Sequence, residues 1–148
     1  GDVYKRQEFG PRALGNRSLL ADPRKISTKS QVNSIKRRQK FRPFAPAILE
    51  EYANEYFEMP AHSRYMSYVY QCKRPKDIPA VLHVDNTARV QTVPETSESI
   101  LRDVLEVWYE YTGCPVLLNT SLNVRGKPMV NDICDALNFS AKYHIDVY

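Results

Sequence analysis

Apolar residues recur at helical spacing most clearly between Ser99 and Thr112, where they predict an amphipathic helix. Ser97 or Thr96 can cap the beginning of this helix, and Gly113 is a typical stop signal. The positions expected to face the core are Ile100, Leu101, Val104, Leu105, Trp108 and Tyr111.

Two further stretches have helical spacing. Ser30 can cap a helix over Gln31 to Lys40, with a basic outer surface, and Asn131 or Asp132 can cap a helix that ends near Tyr143. A short helix from Glu50 to Phe57 is also expected.

Runs of β-branched, aromatic and other apolar residues predict the strands. The turn-forming sequence Asp85 to Ala88 is expected to join two of them as a hairpin. Helices alternating with short strands predict an α/β or α+β fold whose sheet has partly antiparallel pairing. The predicted strands are Tyr65–Cys72, Val81–Val84, Arg89–Val93, Cys114–Leu118 and the beginning of one at Ile145–Tyr148.

The length of 148 residues suits one domain with a substantial core. Three widely spaced cysteines, Cys72, Cys114 and Cys134, argue against a disulfide framework or zinc site, so a cytoplasmic location is expected. No apolar run approaches the length of a membrane span.

Positive charge is concentrated in one part of the chain. Ten of the 21 Lys and Arg residues lie between Pro11 and Arg42, where Asp22 is the single acid. Arg12 and Arg17 stand among glycine and proline residues, and guanidinium groups bind phosphate or carboxylate through paired hydrogen bonds. This segment therefore predicts an anion pocket, which suits a small phosphorylated ligand at least as well as nucleic acid.

Other polar residues have two possible readings from sequence alone. Lys36 stands at the edge of an apolar stripe, and Arg42 leaves a stiff proline-containing segment, so both can reach a pocket. Arg89 can be a binding group or an ordinary surface residue. Asn119, Ser121 and Asn123 follow a buried strand, where α/β sheets often bind ligands, or they form a turn that satisfies its own backbone.

The sequence contains many cationic and hydrogen-bonding groups and few nucleophiles. Histidines 62, 83 and 144 have no metal-ligand spacing, and the common glycine-rich phosphate motifs are absent. This composition suits phosphoryl or nucleotidyl transfer, in which positioning and charge neutralisation carry most of the rate. Mg²⁺ carried by a nucleotide would fit such chemistry.

Four long motifs, occurring in order between Glu8 and Tyr148, resemble one known family. They are EFGPRALGNRSLLADPR, VNSIKRRQKFRPFAPAILEE, HVDNTARVQTV and TGCPVLLNTSLNVRGKPMV. They resemble the carboxyl-terminal, YrdC-like domain of O-carbamoyltransferases that modify nodulation factors and antibiotics, and this resemblance implies an α/β fold with a twisted, mixed, open sheet flanked by helices. The resemblance implies a transferase that binds ATP and carbamoyl phosphate and makes carbamoyl adenylate, in pathways of secondary metabolite biosynthesis. It also implies an amino-terminal, metal-holding Kae1-like domain that passes the carbamoyl group to a hydroxyl of a sugar or secondary metabolite.

The resemblance also implies roles for individual residues. Arg12, Lys36, Arg42 and Arg89 would neutralise carbamoyl phosphate and the α-phosphate of ATP. Asn119 and Ser121 would orient the carbamoyl group, and Asn16, Arg17 and Asn123 would support the site.

The ends of the chain lead to separate expectations. Residues 1–7 can be read as adapter-derived, so the domain is expected to span residues 8–148 and to be incomplete at both ends. Without its partner domain, the chain is not expected to complete carbamoyl transfer. A nucleic-acid-binding module and a threonylcarbamoyl-adenylate-synthase-type module remain alternatives, although no aromatic platform accompanies the basic run from Arg24 to Lys40.

Overall fold

The protein is described from a computed structural model that covers residues 12–60 and 62–147. The predicted adapter segment, residues 1–7, lies outside the described residues. The strands are β1 Ser18–Ala21, β2 Ala45–Leu49, β3 Val69–Gln71, β4 Thr87–Arg89, β5 Gln91–Val93 and β6 Val116–Ser121. The helices are α1 Ile26–Ile35, α2 Ala53–Tyr56, α3 Ile100–Thr112 and α4 Ile133–Tyr143, and short 3₁₀ turns occupy Glu50–Tyr52 and Pro79–Val81.

A mixed four-stranded sheet organises the fold, with strand order β1-β6-β2-β5. β6 pairs antiparallel with both β1 and β2, while β2 and β5 are parallel. β3 and β4 form a separate antiparallel pair. The sheets are open and mixed, so the predicted α/β class is confirmed.

The two faces of the main sheet belong to two cores. Because successive side chains of a strand point to opposite faces, Leu118 lies in the larger core and Leu117 in the smaller one. In the smaller core, Leu101 and Leu105 of α3 cover the sheet. The larger core contains residues from α1, α4 and the segments around β3 and β4, including Val32, Phe139, Phe57 and Val90.

The helices α3 and α4 are close to the sequence predictions. Gly113 follows α3 in the left-handed region at φ 66°, and Asp132 caps α4 by accepting a hydrogen bond from the Asp135 amide. The predicted cap of α3 at Ser97 or Thr96 is wrong, because Ser99 supplies the oxygen that accepts from the Leu101 amide.

Helix α1 lies earlier in the chain than predicted. It begins after Lys25, and Arg37, at φ 52°, lies in the left-handed region just beyond its end. The fully buried Asn33 donates to the carbonyl oxygens of Lys40 and Arg42, both at 3.0 Å. These bonds fold residues 36–42 into a compact loop instead of a helix.

The predicted hairpin between residues 81 and 93 is wrong in its pairing. A turn does form there, and Asn86 takes φ 60°. However, the predicted strand Val81–Val84 does not form, because Pro79–Val81 is a 3₁₀ turn, and β4 pairs with β3 while β5 pairs with β2. The turn residues encode the local bend, whereas burial against distant strands decides the partners.

The remaining predictions differ mainly in their limits. The predicted strand Tyr65–Cys72 is confirmed only over β3, and the predicted strand after Cys114 begins at Val116 but continues to Ser121. Residues 145–147 are not in a strand, and Tyr148 lies outside the described part of the chain. Within that part, no helix is long and apolar enough to cross a membrane.

Candidate anion-binding site

Lys36 directly follows α1 and is a buried amine, with only 4% of its surface exposed. Its Nζ donates to four oxygens: the Ser121 carbonyl, the Ser121 hydroxyl at 3.3 Å, and the Asn123 carbonyl and side-chain oxygens, both at 3.0 Å. Burial, and then repulsion from Arg38, lower the pKa of Lys36 to about 8. These oxygens are uncharged, so a second, negatively charged partner would stabilise the ammonium.

The oxygens around Lys36 come from the end of β6 and the turn after it. Ser121 Oγ donates to Asn123 Oδ1 at 2.7 Å, and Asn123 Nδ2 donates to the Lys127 carbonyl at 3.0 Å. Gly126 takes φ 77°, which allows the turn to fold back. The backbone amide of Arg125 donates to the Lys36 carbonyl at 3.0 Å, so the turn and the end of α1 are tied together.

Arg38 and Arg42 stand on the loop held by Asn33. Arg38 Nε donates to Asn33 Oδ1, and its guanidinium carbon lies 4.3 Å from the centre of the Phe44 ring. Burial, and then repulsion from Arg42, lower the pKa of Arg38 to about 10. The two arginines are therefore close enough to repel each other in the absence of an anion.

These groups surround one cavity of about 290 Å³, here called the basic cavity. No acidic residue is among its lining residues in the described part of the chain, so the local potential is strongly positive. The residues that line it are Lys36, Arg38, Gln39, Arg42, Ser121, Asn123, Val124, Arg125 and Gly126.

Arg12 and Arg89 form a second cationic pair, which does not line the basic cavity. Burial lowers the pKa of the half-buried Arg89, and the charge of Arg12 lowers it further. Arg89 Nε is buried and has no hydrogen-bond partner among the described residues. This unmatched donor next to a second guanidinium is a suitable contact for an anion.

Asn119 lies in the central strand β6 and is 2% exposed. Its Nδ2 donates to Gln91 Oε1 at 2.7 Å and to the Ala13 carbonyl at 3.1 Å, while Gln91 Nε2 donates to the Leu14 carbonyl at 2.9 Å. Asn119 therefore fastens the segment after Arg12 to the sheet. Its Oδ1 is buried without a hydrogen-bond partner among the described residues.

Asn16 and Arg17 lie elsewhere, in the wall of a larger, mainly apolar cavity beside β1. The nine residues predicted from the sequence thus fall into separate places. The basic cavity brings together Lys36, Arg42, Ser121 and Asn123, whereas Arg12, Arg89 and Asn119 lie outside its lining.

Several residues of the site were missed by sequence reasoning. The predicted helix over Gln31 to Lys40 placed Arg38 on its basic outer surface, and no sequence pattern pointed to Arg125. Both residues line the basic cavity. The run of cations after Ile35 pointed to Arg38 as a candidate. However, in a helix that continued to Lys40, the side chains of this run would point in different directions. Nothing in the local sequence distinguishes the structural amides Asn33 and Gln91.

Within the described residues, no group of three or more His, Cys, Asp or Glu side chains is placed to hold a metal ion. The functional groups of this site are cations, amides and a hydroxyl.

The chain belongs to the family described as Carbamoyltransferase C-terminus, whose profile matches residues 1–148. It is 45% identical over 143 residues to Nodulation protein NolO of Bradyrhizobium diazoefficiens, covering 93% of this chain and 26% of that protein. It is 46% identical over 143 residues to Nodulation protein NolNO of Sinorhizobium fredii, covering 93% and 21%. Uncharacterized protein MJ1051 of Methanocaldococcus jannaschii is 40% identical over 143 residues, covering 95% and 28%. The chain thus spans about a quarter of the length of these relatives.

Proposed function

We propose that this chain is the part of a carbamoyltransferase that binds carbamoyl phosphate and activates its carbamoyl group with ATP. The observation that carries the proposal is the basic cavity, in which four cationic side chains and no described acid accompany a hydroxyl and two side-chain amides. Membership of the carbamoyltransferase family indicates that the transferred group is carbamoyl.

The size of the basic cavity suits the smaller reactant. At about 290 Å³ it is near the lower end of ligand pockets, which matches carbamoyl phosphate better than a whole nucleotide. Lys36, Arg38, Arg42 and Arg125 would bind the phosphate, while Ser121 and Asn123 would hydrogen-bond the carbamoyl group.

The second cationic pair suits the nucleotide. Arg12 and the buried Nε of Arg89 would contact phosphate oxygens of ATP and relieve the repulsion between the two guanidinium groups. Asn119 would act through its bond to the Ala13 carbonyl, by holding the segment that follows Arg12. Mg²⁺ bound to the nucleotide would neutralise phosphate charge.

The proposed reaction needs no nucleophile from this chain. Water releases phosphate from carbamoyl phosphate, and an oxygen of the resulting carbamate attacks the α-phosphorus of ATP to displace pyrophosphate and form carbamoyl adenylate. The cationic side chains would stabilise the developing negative charge on the phosphoryl oxygens. Transfer to a hydroxyl of a sugar or secondary metabolite would fall to the remainder of the full-length protein, including a Kae1-like domain that holds a metal.

Carbamoyl-phosphate-dependent release of pyrophosphate by the full-length protein tests this proposal. Arg42→Met and Arg12→Ala are each expected to lower kcat/KM by about a hundredfold, the scale of losing one charge-stabilising group. Arg37→Met is the matched control, because Arg37 is exposed and does not line the basic cavity.

The same assay has clear contrary outcomes. Near-normal pyrophosphate release by Arg42→Met would remove the basic cavity from the reaction, and near-normal release by Arg12→Ala would remove Arg12. Steeply salt-dependent binding of RNA, with no response to carbamoyl phosphate, would instead favour a nucleic-acid-binding module.

A further inference from the structure

We propose that a β-strand from the remainder of the same full-length polypeptide pairs with the outer edge of β1 and fills an apolar groove between α3 and α4. This inference does not rest on the proposed chemistry of the basic cavity. It rests on the sheet edge, the groove around it and the length of the relatives.

The backbone of β1 presents an edge to which no other described segment is paired. β1 is the outermost strand, and among the described residues no strand pairs with its outer side. The Leu122 amide donates to the Arg17 carbonyl. Hydrogen-bonded residues alternate along an antiparallel strand, so the backbone groups of Leu19 and Ala21 also hydrogen-bond to β6. The amides and carbonyls of Ser18 and Leu20 therefore point away from β6, toward the groove.

The groove extends over both faces of the sheet beside β1. Its volume is about 800 Å³, and its walls include Ile100 and Val104 of α3 and Ile133, Ala136 and Phe139 of α4. Helix α3 packs on the face of the smaller core, whereas Phe139 belongs to the larger core on the opposite face. A strand added to β1 would therefore be covered by a helix on each side.

The walls of the groove expose apolar side chains that an additional segment would bury. Ile100 is 55% exposed and Ile133 is 63% exposed, and the buried Ser18 hydroxyl has no hydrogen-bond partner among the described residues. Unpaired edge backbone beside exposed apolar side chains is an unfavourable combination in a finished fold. Both are satisfied by an extended segment with alternating side chains.

The occupant is assigned to the same polypeptide because of the length of the relatives. About three quarters of the NolO relative lies outside the region matched by this chain. A helix or an apolar small molecule would leave the backbone of Ser18 and Leu20 unpaired. A second copy of the chain would bring its own α3 and α4 beside its β1, which would obstruct entry into the groove.

Hydrogen–deuterium exchange of the full-length protein tests this inference. The Ser18 and Leu20 amides are expected to exchange slowly, as paired strand amides do, and Val104→Glu should speed their exchange about tenfold or more. Val107→Glu is the matched control, because Val107 is on the same helix and is 52% exposed but does not line the groove. If Val104→Glu prevents folding, Val104→Thr and Val107→Thr provide a milder pair.

Three results would overturn the inference. The first is free exchange at Ser18 and Leu20 in the full-length protein. The second is an equal effect of the Val104 and Val107 substitutions. The third is protection that disappears when the protein is diluted to monomer, which sedimentation velocity would detect and which would identify a second copy as the occupant.

Discussion

The buried amine of Lys36 is the residue that best explains why this site should bind an anion. A charge removed from water is costly unless an opposite charge compensates it, and the partners of Lys36 in the described structure are neutral oxygens. This unfavourable burial of charge lowers the pKa of Lys36 to about 8. A bound phosphate would add the missing negative charge and raise the pKa of Lys36 again.

Sulfate binding is therefore expected to weaken by up to about tenfold between pH 7 and pH 9, because Lys36 loses its proton in this interval. Sulfate keeps its charge over this range, and Arg38, with a pKa of about 10, remains mostly protonated. Isothermal titration calorimetry measures the effect.

Lys36→Met should remove most of the pH dependence of sulfate binding, and Lys25→Met, at the other end of α1, should preserve it. A wild-type affinity that is constant from pH 7 to 9 would contradict the expectation.

The lowered pKa of Lys36 has the opposite consequence for stability, which should increase as the pH rises. Because the folded state releases its proton near pH 8 and the unfolded state near 10.5, the contribution of Lys36 to the free energy of unfolding should rise between these values.

Helix α3 shows how capping, periodicity and an ion pair made by a buried arginine act together within one element. Ser99 caps its beginning and Gly113 follows its end in the left-handed region. Arg102, only 6% exposed, bonds to Glu51 Oε1 at 2.7 Å and to the Val93 carbonyl at 3.1 Å. These contacts fasten α3 to β5 and to the turn after β2, so the helix forms a firm wall for the apolar groove.

Ser99→Ala is expected to lower the free energy of unfolding by about 1 kcal/mol, because the Leu101 amide loses its acceptor. Urea unfolding followed by circular dichroism measures the change. Thr96→Ala is the matched control, since the exposed Thr96 does not cap the helix and its loss should change stability by less than about 0.5 kcal/mol. Equal effects of the two substitutions would contradict the assignment of the cap.

At the scale of the whole molecule, β6 connects the cores and both parts of the site. It lies between β1 and β2, and its residues Val116 to Asn119 are buried. The same strand carries Asn119, which holds the segment after Arg12, and ends at Ser121, which binds Lys36. Disturbing the middle of β6 should therefore affect folding and anion binding together.

Leu118→Ala is expected to lower the free energy of unfolding by about 2–5 kcal/mol, because Leu118 is completely buried in the larger core. Leu137→Ala provides a matched control on α4, where Leu137 is 56% exposed, and should cost less than about 0.5 kcal/mol. Urea unfolding of the chain compares the two. A small loss for Leu118→Ala would show that the core rearranges to fill the cavity.

Features that arise within short segments could be predicted from the order of the residues. The spacing of apolar residues in α3 and the cap of α4 at Asn131 or Asp132 follow from local geometry and propensity, so both helices were predicted with nearly the observed limits, whereas the apolar run in β6 predicted a strand but not its limits. The concentration of cations before Arg42 likewise predicted a basic site, and Lys36, Arg42, Ser121 and Asn123 do meet.

The choice of which distant segments lie together could not be predicted in this way, because it depends on the complete fold. The parallel pairing of β5 with β2, the burial of Asn33 and the separation of the cations into a basic cavity and an Arg12–Arg89 pair depend on contacts between residues far apart in the chain. Such contacts are selected by the burial of whole surfaces and by the hydrogen bonds that burial demands. A local pattern contains neither quantity, and for that reason it predicted the kind of site but not its arrangement.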